Sequence, residues 1–156
     1  MFSVNEILSS EIKAKACDNI LRALPEWFGV EGYIKNYVES CKGMTCFAAF
    51  DGADAIGFVA LKPQTFCAAE IFVVGVLPQY HRKGVGAQLV EACADWARAR
   101  NCEFLTVKTL DSSAGDPNYE QTRLFYEKLG FLPLEVFPLL WDEVNPCLMM
   151  VMRVNE

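Results

Sequence analysis

Apolar residues recur every fourth position from Ile12 through Ala16 and Ile20 to Leu24, the repeat of one helical face. Pro25 closes that run, so a helix is predicted over residues 10–24. A second, shorter helix is predicted from Glu31 to Glu39, after Gly29. Thr45 to Phe50 and Ala55 to Leu61 read as two strands joined by the turn-forming Asp51-Gly52-Ala53-Asp54. Ala68 to Val76 is apolar enough to be a central strand. Val85, Leu89, Cys93 and Trp96, with Arg100 beyond them, mark a helix whose apolar face carries the first four. Phe104 to Thr109 is the next strand. Asp116-Pro117 is a good helix opening, and that helix ends at Gly130. Phe131 to Val136 and Leu148 to Val154 complete the set. Short strands followed by a βαβα core predict an α/β chain, a mixed sheet flanked by helices. At 156 residues, the expectation is a single domain over 1–156.

Composition narrows the function classes. A hydrophobic content of 53% suits a well-filled core, and a net charge of −6 argues against general affinity for nucleic acid or anionic membrane. No apolar stretch approaches the ~20 residues of a membrane span. Glu6, Glu11, Lys13 and Lys15 interrupt any signal-like run at the start. Seven cysteines without a Cys-x-x-Cys pair read as reduced core residues of a cytoplasmic protein. The one histidine, His81, leaves no partner for a zinc site, so no metal is expected.

The densest chemical signal lies in Val73-Val74-Gly75-Val76-Leu77-Pro78-Gln79-Tyr80-His81-Arg82-Lys83-Gly84-Val85-Gly86-Ala87. An apolar strand runs into a basic turn, two glycines follow, and a helix begins. Helix-terminal amides with Arg82 and Lys83 form a cradle for a diphosphate. No Lys-Ser or Lys-Thr follows Gly86, which excludes a P-loop. Leu89 stands where a dinucleotide fingerprint requires its third glycine. Gly75, inside the strand, marks a bulge or close backbone approach, or else simply ends the strand before Pro78.

This stretch resembles the pyrophosphate loop of the GNAT (Gcn5-related N-acetyltransferase) superfamily, Gln/Arg-x-x-Gly-x-Gly/Ala, with His81 at the Gln/Arg position. Leu124-Phe125-Tyr126-Glu127-Lys128-Leu129-Gly130-Phe131 resembles the second signature of that family, and the likeness covers residues 44–154. The resemblance implies an acyl-CoA N-acyltransferase fold, a mostly antiparallel central sheet with a splayed parallel pair. It implies acetyl-CoA as cofactor, held by Val74, Gly75 and Val76 along the pantetheine arm. His81, Arg82, Lys83, Gly84, Val85, Gly86 and Ala87 then hold the pyrophosphate.

The implied reaction moves an acetyl group to a primary amine of a small molecule or peptide by direct attack in a ternary complex. Tyr126 would be the general acid that protonates the leaving thiolate, although its spacing alone reads as core packing. Glu70 would be the base that deprotonates the ammonium, or else a carboxylate at the solvated strand start or paired with a lysine. His81 is assigned to pyrophosphate contact or surface rather than acid–base work. Family members often carry an asparagine seven residues before the tyrosine. Tyr119 stands there, with Asn118 one residue off. Leu24–Gly29 and Leu140–Pro146 pair aromatics with carboxylates and would shape an acceptor pocket for a cation with an apolar body. The competing reading is a non-catalytic acyl-CoA sensor. Homodimerisation is common in such folds.

Overall fold

The computed structural model describes residues 1–155. Helix α1 (Ser10–Arg22) starts where the extended Ser9 accepts the Ile12 amide on its side chain. Its buried stripe is Ala16, Cys17, Ile20 and Leu21, whereas Ile12 is exposed. The expected fourfold repeat fails there for a geometric reason. Each step of four overshoots a turn by about 40°, so Ile12 rotates off the face that Ile20 occupies.

The remaining elements are α2 (Glu31–Cys41), α3 (Val85–Ala99), α4 (Pro117–Leu129) and seven strands. The strands are β1 (Ser3–Ile7), β2 (Thr45–Asp51), β3 (Asp54–Thr65), β4 (Ala68–Val76), β5 (Phe104–Leu110), β6 (Leu132–Asp142) and β7 (Asn145–Arg153). They hydrogen-bond in the order β1-β2-β3-β4-β5-β7-β6, with β4 and β5 as the parallel pair of an otherwise antiparallel sheet. This is the mixed sheet expected from the sequence. Strand β1 was not foreseen: it pairs Ser3 with Phe50 through Ile7 with Cys46, yet only Ile7 is buried.

The chain forms two compact units. The first comprises Met1–Lys62 with Ile71–Trp96, the second Pro63–Glu70 with the chain from Ala97 onward. In the first, α1 and α2 bury Ile20, Leu21, Leu24 and Ile34 against Ala48, Phe58 and Val73. Two glycines mark close approaches there. A Cβ at Gly75 would lie 3.0 Å from both Ile20 Cγ2 and Leu24 Cδ1. A Cβ at Gly57 would lie 3.0 Å from Leu89 Cδ1 and Val85 Cγ1 of α3. The buried face of α3 is wider than expected: Val90, Ala94 and Ala97 join it, while Trp96 is half-buried.

In the second unit α4 is bounded as the sequence indicates. The Asp116 carboxylate accepts the Asn118 amide at 2.9 Å, and Gly130 ends the helix at φ 106°. Arg123 Nη1 donates to the Leu110 carbonyl at 2.7 Å, tying α4 to the end of β5. Residues 140–146, expected as a connecting loop, are mostly strand. Strand β6 runs to Asp142 and β7 begins at Asn145, because Asp142 Oδ1 accepts the amides of Val144 and Asn145 and closes a tight turn. Between Phe137↔Cys147 and Asp142↔Asn145 the register shifts, so Pro138–Trp141 bulge opposite Pro146.

Among the described residues no helix is long and apolar enough to cross a membrane, and no group of three His, Cys, Asp or Glu could hold a metal. All seven cysteines are free, six of them buried and Cys67 half-buried.

Replacing Gly75 with alanine should cost about 1–3 kcal/mol by overpacking against Ile20 and Leu24, read from the urea unfolding midpoint. The Asn145 side-chain hydrogen bond, with the two amides, holds the Asp142 carboxyl below its usual range. Such a group adds stability above its unfolded pKa, about 4, and loses it as pH falls through the lower folded value. Acidification across that window should therefore lower the amide protection factors of Val144 and Asn145.

Candidate active site

The end of β4 and the turn after it are pinned from several sides. The Leu77 amide donates to the Ile56 carbonyl at 2.9 Å, and a 3-10 turn spans Pro78–Tyr80. Tyr80 donates its phenol to Asp51 Oδ2 at 2.8 Å, which fastens the turn to β2 and raises the Tyr80 pKa. His81 Nε2 lies 2.7 Å from the Val76 carbonyl, and its ring meets the edge of Trp27 at 6.0 Å. The Val76 carbonyl, at the end of the strand that the resemblance assigns to the pantetheine arm, is thus in contact with His81. The front segment 24–29 contributes the indole that braces the turn.

Past His81 the backbone takes two left-handed residues, Arg82 at φ 62° and Gly84 at φ 82°. Arg82 is a non-glycine in a region such residues rarely occupy, a strain typical of ligand-binding turns. Helix α3 then begins at Val85, and Gln88 N returns to Gly84 O at 3.1 Å. The amides of Val85, Gly86 and Ala87 precede that first helical bond and carry the positive end of the helix. Nothing lies within 4 Å of a Cβ built at Gly84, so the chain is open to approach at that residue. Arg82, Lys83 and Gly84 are exposed, and Lys83 Nζ stands 5.7 Å from the centre of the Tyr80 ring. A cavity of about 570 Å³, lined by Met1, Phe2, Asp51, Gln79, Tyr80 and Lys83, opens beside the turn. A helix N-terminus behind an open glycine, two cations and a roomy flank fit a diphosphate.

Glu70 and Tyr126 belong to the second unit. Glu70 is 6% exposed on β4 and its Oε1 accepts from Lys108 Nζ of β5 in a salt bridge. Of the two non-catalytic placements open in the sequence, a solvated strand start and a lysine partner, the second is the one realised. The buried Cys147 thiol of β7 is pushed up first by burial, with Lys108 and Glu70 charges acting in opposite directions. Lys108 was missed in the sequence reading. Its signal was a single cation in Phe-Leu-Thr-Val-Lys-Thr-Leu, an otherwise uncharged strand near a strand with a single carboxylate.

Tyr126 is 3% exposed, with ring centroids 5.2 Å from Phe125 and 5.4 Å from Phe131. Its carbonyl receives the Phe131 amide at 3.0 Å, so the helix-ending Gly130 also fixes the tyrosine's place. Asp116 caps α4, and Asn118 contributes its backbone amide to that cap.

The fold and these residues define a class. The family model for the acetyltransferase (GNAT) family matches residues 15–131, and the chain belongs to that family. An uncharacterized N-acetyltransferase of Archaeoglobus fulgidus is 31% identical over 102 residues, 62% of this chain. The match spans 65% of that relative's length. A solved structure from Desulfovibrio desulfuricans, described as a GNAT-family acetyltransferase, superposes with a TM-score of 0.84 at 17% identity, covering 99% of this chain and 100% of that one. An aminoglycoside 6′-N-acetyltransferase complexed with coenzyme A superposes at 0.79 with 18% identity, covering 99% and 98% of the two chains. At these identities the structural likeness speaks for the fold.

Removing one partner of a buried ion pair leaves the other charge uncompensated. Lys108→Met should destabilise the protein by about 3 kcal/mol, and adding Glu70→Gln should recover most of that. Denaturant unfolding of the single and double variants checks both.

Proposed function

We propose that this protein transfers an acetyl group from acetyl-CoA to a primary amine of a small molecule or peptide. The observation that carries the reading is the open turn at Arg82–Gly84 under the first amides of a 15-residue helix. Backbone amides of Val85, Gly86 and Ala87 would take the diphosphate oxygens, with Arg82 and Lys83 supplying charge. The cavity beside Tyr80 and Lys83 suits the nucleotide end of the same molecule. Bound acetyl-CoA supplies an activated acyl thioester.

Backbone groups of Val74, Gly75 and Val76 would align the pantetheine arm, with His81 holding the Val76 carbonyl in place. Fixing donor and acceptor side by side converts a bimolecular reaction into a local one and would supply much of the acceleration. Glu70 would take a proton from the incoming ammonium, its carboxylate oriented by Lys108. Tyr126 would give a proton to the departing thiolate, since a phenol of pKa about 10 matches a thiol of about 8.5.

Direct attack is favoured over a cysteine-borne acyl group. Burial pushes the Cys93 thiol up to about 12 and raises Cys147 as well, so neither is a ready nucleophile. The acceptor would bind near residues 24–29, where Trp27 offers an aromatic wall and Glu26 a carboxylate. Seven free cysteines suit a reducing compartment, and we take the cytoplasm as the working site of residues 1–156, acting as one domain.

Calorimetric titration with CoA tests the cofactor half, and thiol release with a panel of polyamines, aminoglycosides, amino acids and peptides tests the transfer. Saturable heat with CoA and amine-dependent thiol release are expected. No heat with millimolar CoA overturns the reading, and binding without turnover on any amine favours a sensor. Tyr126→Phe should lower turnover at least about tenfold, toward the ~10²–10⁴ range of acid–base effects, with CoA affinity unchanged.

A further inference from the structure

Strand β5 carries two buried hydroxyls that find no hydrogen-bond partner within the protein, those of Thr106 and Thr109. Thr109 is the more deeply buried residue, only 4% exposed. A buried hydroxyl without a partner costs stability, whereas a methyl of the same shape would not.

The register assigns Thr109 a face. It pairs with Leu148 of β7, as Val107 pairs with Met150 and Leu105 with Met152. Alternate residues of a strand share one face with the partners directly across from them. Leu105, Val107, Leu148 and Met150 on that face are at most 8% exposed. Thr106 and Lys108 lie on the other face, where Lys108 meets Glu70.

Helix α4 lies along the Thr109 face. A Cβ at Gly130 would come 3.6 Å from Met152 Sδ, beside Leu105, and Arg123 donates to the carbonyl of Leu110, the residue after Thr109. Arg123, Tyr126 and Gly130 are spaced three and four apart, so they share one side of the helix. The helix therefore runs back along β5, with the buried Tyr126 between its two points of contact. Thr109 is next to the first of them. The apolar walls of this face offer a water few of the two to four polar partners it needs. An amide on a slender apolar chain suits the place better, since it supplies one partner and leaves the walls apolar. The pantetheine arm of coenzyme A is such a chain.

We infer that Thr109 is a cofactor-contacting residue, its hydroxyl donating to an amide carbonyl of the pantetheine arm. The inference rests on acetyl-CoA as the donor. It assigns the unpaired hydroxyl to the free protein and its pairing to the complex, so stability and affinity respond in opposite directions when the hydroxyl is removed.

Calorimetry and thermal unfolding of Thr109→Val, which keeps the shape and drops the hydroxyl, test this. CoA should bind the variant roughly 3- to 10-fold more weakly, the worth of one neutral hydrogen bond. The nucleotide half of CoA alone, 3′-phospho-ADP, should bind parent and variant equally. Without ligand, the variant should melt roughly 2–4 °C higher. Thr109→Ser, which restores a hydroxyl, should keep CoA affinity within about twofold of the parent. Thr106→Val, which removes the hydroxyl of the opposite face, should leave that affinity unchanged. Equal CoA affinity of parent and Thr109→Val overturns the inference alone. So does a Thr109→Val that melts lower or fails to fold, one that loses the nucleotide half to the same degree, a Ser variant as weak as Val, or a Thr106→Val equally weakened. A parent chain that binds no CoA overturns the acetyl-transfer reading and this inference together.

Discussion

Side chains of α1 and of the turn after it press on the β4 backbone at Gly75, and the placement of the turn beyond follows from that contact. Ile20 and Leu24 occupy the volume a Cβ would need, so the strand is fixed one residue before Val76. From there the chain has six residues to reach Arg82. Leu77, Tyr80 and His81 are each held by a hydrogen bond to β3, β2 or β4. The left-handed pair at 82 and 84 survives because everything before it is over-determined. The turn stays open at Gly84 in consequence, just where the chain enters α3.

Electrostatics concentrate the same point. The chain carries a net charge of −6, yet the turn presents Arg82 and Lys83 beside a helix N-terminus. An anionic ligand is repelled by the average surface and attracted at one place. The Glu70–Lys108 pair is the converse, two charges drawn into a region where an isolated one would be costly. Thiol burial belongs with these. Cys17 and Cys46 are raised first by hydrogen bonding to Cys41 and then by burial, which fits a packing role.

The parts legible in the sequence were those whose signals are local. Asp116-Pro117 and Gly130 bounded α4 because capping and left-handed termination depend on single residues. Strand β4 was read to the residue, since nine nearly uninterrupted apolar positions leave little choice. Strand β1 was invisible because its pairing with β2 is a backbone matter and only Ile7 is buried. Residues 137–142 of β6 fell outside the expected strand because Pro138 and the lack of apolar–polar alternation there give no strand signal. Lys108 and the Trp27–His81 contact escaped for a common reason. Each joins residues far apart in the chain, and no spacing rule reports what a fold brings together.

The edge contact between Trp27 and His81 makes the front segment and the basic turn neighbours, 6.0 Å apart at the ring centres. A molecule that shifts the indole alters the footing of the basic turn. By thermodynamic reciprocity, an anion settling on that turn must change the affinity for the first molecule by the same factor. That factor is the same whichever of the two arrives first.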